Sequence, residues 1–176
     1  MRSILGWILL AVGVAIALTG FCDAGMAWLG QHPAVYSADT RETLPPGFAA
    51  RLIIPRLDSS LFVIHAKRPR DLRLAPGYIE GSVKPGDAGN CIIAGHRDLH
   101  FRVLKDIRVG DEIQLITERG PSTYRVAATQ IVSPRDRNAL RAVYPQQLTL
   151  VTCYPFYYVG PAPKRFIVTA YRLEQS

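Results

Sequence analysis

The chain has 176 residues, of which 48% are hydrophobic and 20% are charged. This composition excludes a largely disordered protein and predicts one ordinary domain with an additional segment. The net charge of +7 favours an anionic neighbour such as a membrane or a wall polymer. Because the basic residues are scattered and do not alternate with aromatic residues in a cluster, we expect no nucleic-acid partner.

The N-terminal segment contains an apolar run, Ile4 to Phe21, without a charged residue. It reaches the minimum length of a membrane-spanning helix, about 18 residues. Arg2 precedes the run and the next basic residue is Arg41, so the positive-inside rule predicts a cytoplasmic N-terminus and an exported remainder. We therefore expect residues 1–30 to be an uncleaved signal anchor of a single-pass membrane protein. A signal peptide cleaved near Gly25 to Ala27 is the alternative.

The rest of the chain divides into a tether and a folded domain. Residues 31–47 are polar and contain three prolines, which is typical of a linker, and residues 48–176 are predicted to form the domain. The strand candidates in the domain are short and rich in β-branched residues: ARLIIPRL, LFVIHA, NCIIAGHR, DEIQLIT, STYRVAATQIV, QLTLVTC and KRFIVTAYRL. The few helical candidates are Arg70 to Leu74, Leu99 to Lys105 and the segment from Asp136. About eight strands with frequent Pro and Gly predict an all-β barrel or sandwich.

The three cysteines do not predict a disulfide scaffold, because their number is odd and their density low. Cys91 lies beside Ile92 and Ile93, so core packing is its predicted role. Cys153 ends a predicted strand just before a loop. Alternation along that strand places Thr152 on the opposite face from Cys153.

A pair of reactive side chains is predicted to flank the loop from Tyr154 to Lys164. Cys153 and Arg165 are equidistant from Val159, so an antiparallel hairpin would set them opposite each other. A positive neighbour favours the nucleophilic thiolate, and a guanidinium group can hydrogen-bond a developing oxyanion. Among the four histidines, His96 is the candidate proton carrier, since it follows a buried strand.

The combination of AGHRD, TLVTCYPF and PKRFIVTA, in this order, resembles the sortases, which are membrane-anchored cysteine transpeptidases of bacterial cell surfaces, and the class D type most of all. The resemblance implies an eight-stranded β-barrel. It makes Cys153 the nucleophile, His96 the general acid and base, and Arg165 the oxyanion or substrate clamp. Thr152 and Tyr154 are candidate substrate contacts.

The same resemblance implies cleavage of an LPxTG-like sorting signal between Thr and Gly through a thioacyl enzyme. The acyl group then passes to an amine acceptor, such as a cell-wall precursor or a pilin lysine, so that surface proteins are anchored or polymerised. We expect neither a cofactor nor a metal ion. The alternatives are a surface cysteine peptidase that transfers the acyl group to water and an anchored β-barrel that binds wall polymer or a partner protein without catalysis.

Overall fold

The computed structural model describes residues 44–136, 138–141 and 144–173. The predicted anchor and most of the predicted tether lie outside these residues, so the domain boundaries stay predictions. In the described part of the chain no helix is long and apolar enough to cross a membrane.

Eight strands form a closed barrel in the spatial order β1-β2-β3-β4-β7-β8-β6-β5. Their bounds are β1 Ala50–Ile54, β2 Ser59–Ala66, β3 Gly77–Ile79, β4 Gly89–Ala94, β5 Glu112–Thr117, β6 Gly120–Val132, β7 Gln146–Tyr154 and β8 Lys164–Arg172. The β2–β3 and β4–β7 pairs are parallel and the remaining pairs are antiparallel. The prediction of an all-β fold is confirmed, and the barrel alternative is the correct one.

The strand ends differ in detail from the predicted ones. Pro55 ends β1, since it has no N–H for the sheet, and a 3-10 turn over Pro55–Leu57 follows. β2 begins two residues earlier than the candidate LFVIHA, because Ser59 and Ser60 already pair with β1. β3 was not among the predicted strands. It has only three residues, too few to show an alternating pattern.

All the helical segments of the described residues are short 3-10 turns rather than α-helices. They span Pro55–Leu57, Pro69–Arg73, His100–Asp106 and Asn138–Leu140. Three of them match the predicted helical segments in position. They provide connections between strands, which agrees with the expected minor helix content.

The barrel interior is filled by apolar side chains contributed by every strand. Strand alternation produces this arrangement, as in β5, where Ile113 and Leu115 are fully buried between more exposed neighbours. Cys91 is 1% exposed and belongs to this core, which confirms its predicted packing role. Burial raises the pKa of the Cys91 thiol to about 12, so this thiol stays protonated at neutral pH.

Candidate active site

Cys153 lies near the end of β7, on the outer face of the barrel. Leu148 and Leu150 of the same strand are in the core, and Thr152 continues their inward face. Because successive side chains of a strand point to opposite faces, Cys153 points outward. It is half-buried, whereas Cys91 is almost completely enclosed. Of these two thiols, Cys153 is the one that a substrate can approach.

Arg165 is the direct neighbour of Cys153 on the adjacent strand. In the antiparallel β7–β8 pair the two residues face each other, which confirms the predicted register. The loop is one residue shorter at each end than predicted, since β7 includes Tyr154 and β8 begins at Lys164. Nη1 of Arg165 donates to the carbonyl oxygens of Lys164 and Ala162, at 3.0 and 3.4 Å. These bonds hold the guanidinium group beside the start of β8.

His96 follows β4, the strand that pairs with β7 on the side opposite β8. The parallel β4–β7 pairing ends with Ala94 opposite Val151, and the N–H of Gly95 still donates to the carbonyl oxygen of Val151 at 3.1 Å. One further step along both chains brings His96 level with Cys153. We infer from this register that His96, Cys153 and Arg165 lie in one row at the ends of three adjacent strands, which in a sheet are about 4.8 Å apart.

The turn that carries His96 depends on Gly95. A Cβ atom at Gly95 would lie 2.8 Å from the ring of Phe101, which is fully buried. The absence of a side chain therefore allows the close approach that the sequence suggested at this position. The carbonyl oxygen of His96 accepts hydrogen bonds from the N–H groups of Leu99 and Phe101, at 3.3 and 3.0 Å. Packing and hydrogen bonds together fix the backbone of His96.

Thr152 and Tyr154 face away from Cys153. Thr152 is 2% exposed, and its hydroxyl group donates to the carbonyl oxygen of Gly95 at 2.7 Å. The ring of Tyr154 packs near Phe156 and Phe166, with centroid separations of 5.9 and 6.4 Å. The contacts of both residues are thus internal to the fold. The substrate contacts predicted for them stay predictions.

Two titratable groups of the His96 turn and of the β7–β8 loop have shifted pKa values. Burial lowers the pKa of His100; the hydrogen bond to the carbonyl oxygen of Arg73 opposes this shift, and nearby His96 adds to it. On the loop, hydrogen bonds from Arg102 and Lys105 lower the pKa of Tyr157. Arg102 and Lys105 therefore place positive charge beside the loop, at Tyr157.

Arg97 was not predicted as a site residue, although it follows His96 directly in AGHRD. Its side chain is 9% exposed and contacts the loop between β7 and β8. The only sequence signal for Arg97 was its position next to His96. An arginine in such a position is ordinarily a solvated charge, so the sequence did not indicate its burial. Its burial depends on contacts more than sixty residues away in the chain.

No group of His, Cys, Asp and Glu side chains in the described residues could hold a metal ion. The candidate residues at the ends of β4, β7 and β8 carry an imidazole, a thiol and a guanidinium group. They supply a nucleophile, a proton carrier and an anion-stabilising donor, which are the parts that acyl transfer through a thioester requires. Fold and site define a β-barrel with a cysteine-based acyl-transfer arrangement at one end.

Comparison with known proteins agrees with this description. Residues 52–173 match the family model of the sortase domain. Sortase D of Bacillus subtilis (strain 168) is 34% identical over 123 residues, which are 69% of this chain and 62% of that protein. The chain thus spans less than two thirds of the length of this curated relative.

Solved structures give the same result. Sortase A from Corynebacterium diphtheriae, in a lid mutant, is 28% identical with a TM-score of 0.66, covering 78% of this chain and 75% of its own. A Sortase D5 transpeptidase of Clostridium perfringens is 26% identical with a TM-score of 0.63, and the match covers 72% of this chain and 79% of that protein. The chain belongs to the sortase family.

Proposed function

We propose that this protein is a cell-surface cysteine transpeptidase acting on an LPxTG-like sorting signal, with Cys153, His96 and Arg165 as its catalytic residues. The main support is the strand pairing, since Cys153 pairs directly with Arg165 and His96 follows β4, the other neighbour of β7. Family membership and the names of the relatives, two of which carry the class D designation, point the same way.

The proposed first half-reaction forms a thioester. The Cys153 thiolate attacks the carbonyl carbon of the Thr–Gly bond, and the carbonyl oxygen becomes an oxyanion. Arg165 stabilises this oxyanion with guanidinium N–H donors, of which an arginine has five. Protonated His96 gives its proton to the departing glycine amine as the C–N bond breaks, leaving the acyl group on sulfur.

The second half-reaction transfers the acyl group to an amine. The acceptor amine attacks the thioester carbonyl and loses a proton to neutral His96, while the C–S bond breaks and the Cys153 thiolate is restored. A new amide bond links the surface protein to its acceptor. An amine of a cell-wall precursor or a lysine of another surface protein fits this step chemically.

The proposal is tested by incubating the 176-residue chain with a peptide containing Leu-Pro-x-Thr-Gly and with triglycine as acceptor. Mass spectrometry should detect an acyl adduct on the peptide containing Cys153 and a product joined to triglycine. Cys153→Ala should lower product formation by more than about 10³-fold, since the nucleophile is removed. Cys91→Ala is the matched control, because it removes a thiol from the core and should leave the adduct in place.

The same experiment separates the alternatives. A peptide cleaved at Thr but never joined to triglycine would indicate a hydrolytic peptidase. Absence of any adduct in the parent protein, with peptide binding that Cys153→Ala leaves unchanged, would indicate a binding protein and would contradict the proposed catalysis.

A further inference from the structure

Arg97 is buried although the two residues that follow it are exposed. Its side chain is 9% exposed, while Asp98 and Leu99, the next two residues of the same turn, are exposed. A buried guanidinium group is stable only if its donors are paired, because its charge has lost contact with water. The partners of Arg97 therefore explain why it lies inside.

Those partners belong to the loop that connects β7 to β8. Nη2 of Arg97 donates to the carbonyl oxygens of Tyr158 and Gly160, at 2.6 and 3.1 Å. The guanidinium carbon also lies 5.7 Å from the ring centroid of Tyr158. Charge-assisted hydrogen bonds of this kind are about twice as strong as neutral ones. A single side chain thus joins the His96 turn to a loop more than sixty residues away.

The loop itself has few apolar contacts at its tip. Val159 is fully exposed, and Tyr157 is 69% exposed. The two carbonyl groups bound by Arg97 lie on either side of Val159, so the bonds hold the tip at both flanks. Gly160 has a φ of +97°, which permits the turn that presents these carbonyls to one nitrogen atom.

The other end of this connection is rigid. The carbonyl oxygen of His96 accepts two backbone hydrogen bonds, and Gly95 packs against buried Phe101. Arg97 therefore extends from a fixed backbone position. A loop held by Arg97 has a fixed position relative to His96, and the loop leads directly into Arg165.

We propose that Arg97 is a positioning residue, which fastens the β7–β8 loop to the His96 turn and so keeps Arg165 and Cys153 aligned with His96. The inference rests on the proposed function, because alignment matters only if these three residues act together. Misplacement by about 1 Å can lower a catalytic rate by about 100-fold. Arg97 touches neither substrate nor the reacting atoms in this scheme.

The test compares Arg97→Met with Arg97→Lys in the full chain. Methionine keeps much of the apolar stem and removes the donors, whereas lysine retains one charged nitrogen that can donate to both carbonyls. Arg97→Met should lower kcat with the sorting peptide by about 10- to 100-fold and change KM by less than about threefold. Arg97→Lys should restore most of this loss.

Arg102→Ala is the matched control. Arg102 is exposed and lies 5.4 Å from the ring centroid of Tyr157 in the same loop, but its removal leaves the hydrogen bonds of Arg97 in place. It should keep kcat within about twofold of the parent. Rates are expressed per folded protein, measured as the fraction of molecules in which buried Cys91 stays unreactive towards iodoacetamide, so that loss of folded protein is not counted as loss of kcat.

A second measurement does not depend on the substrate. The rate of iodoacetamide addition to Cys153, mapped by mass spectrometry, should fall in Arg97→Met and recover in Arg97→Lys, since the sulfur would lose its aligned positive neighbours. Equal kcat and equal alkylation rates in all variants would overturn the proposal, as would a lysine variant as impaired as the methionine variant. If the parent forms no peptide adduct, the proposed function fails, and the alkylation rates still decide the role of Arg97.

Discussion

At the residue scale, His96 and His100 have different environments. His96 is the candidate for proton transfer, and His100 is a structural group. His96 is half-buried in the turn that follows β4, whereas His100 is 8% exposed, with Nε2 at 3.5 Å from the carbonyl oxygen of Arg73. Because the two rings are four residues apart on one turn, a proton on His96 disfavours a proton on His100. His100 therefore favours the neutral form in the folded protein.

This difference predicts a pH dependence of stability. Burial lowers the pKa of His100 in the folded state, while in the unfolded chain an ordinary histidine takes up its proton at about pH 6.5. Below that pH the unfolded state binds more protons, so the free energy of unfolding falls as the pH falls. We expect His100→Gln to reduce this fall between pH 7 and pH 5.5.

Urea denaturation of the parent and of His100→Gln at several pH values measures the effect. The difference in unfolding free energy between the two proteins at pH 8 is the reference, because His100 is neutral there in both the folded and the unfolded state. If the unfolding free energies of the two proteins change in parallel over the whole pH range, the pKa of His100 is not shifted in the folded state.

At the element scale, β7 is joined to its neighbours by polar groups as well as by the sheet. Near the site, the hydroxyl group of Thr152 binds the carbonyl oxygen of Gly95. At the other end, the hydroxyl group of Thr149 donates to Oδ1 of Asn90 at 2.8 Å, and Nδ2 of Asn90 donates to the carbonyl oxygen of Leu140 at 2.8 Å. These bonds fix the position of β4 relative to β7, which brings His96 level with Cys153.

Thr152→Val tests whether this connection matters for the site. Valine has nearly the same shape but leaves the carbonyl oxygen of Gly95 without the hydroxyl donor, which costs about 1–2 kcal/mol of unfolding free energy. We also expect a lower kcat with an unchanged KM, because His96 follows Gly95 directly. Thr152→Ser keeps the hydroxyl group and should retain activity.

Steady-state kinetics with the sorting peptide, together with urea denaturation, give both quantities. A raised KM with normal stability would instead support the substrate contact that the sequence predicts for Thr152. Equal behaviour of the valine and serine variants would contradict a role for the hydroxyl group.

At the scale of the whole molecule, the barrel places the ends of β4, β7 and β8 side by side, and its interior is closed by apolar side chains. The candidate site is therefore on the outer surface near these strand ends, open to a polypeptide from outside. If the domain is exported as the sequence predicts, such a site is suited to substrates that are themselves attached to the cell surface. The predicted signal anchor supplies the location that this function needs.

The anchor gives a prediction for the whole chain. A protein with tags at both ends should sediment with membranes at its full mass, whereas a chain lacking residues 1–30 should remain in the supernatant. Apolar burial in the bilayer is the reason, since Ile4 to Phe21 contains no charge. External protease should degrade the domain in intact spheroplasts.

Immunoblots against the two tags distinguish the alternatives. Loss of the N-terminal tag with a chain shortened near Ala27 would indicate a cleaved signal peptide. A full-length chain in the soluble fraction would contradict membrane attachment altogether.

The sequence by itself determined those features that depend on neighbouring residues. The β-branched runs predict seven of the eight strands, because alternation and turn residues are local signals. The opposition of Cys153 and Arg165 follows from counting outward from Val159, since a regular hairpin connects adjacent strands. Burial of Cys91 follows from its apolar neighbours.

Only the tertiary structure decided which distant segments meet. The parallel pairing of β4 with β7 brings Gly95 and Thr152 together across 57 residues, and no local pattern specifies that partner. β3 is too short to be recognised, and its place is set by the strands on either side. Arg97 becomes a buried connection only because the loop beyond β7 folds over it. These features arise from closure of the barrel, which depends on the packing of the whole core rather than on any single stretch of chain.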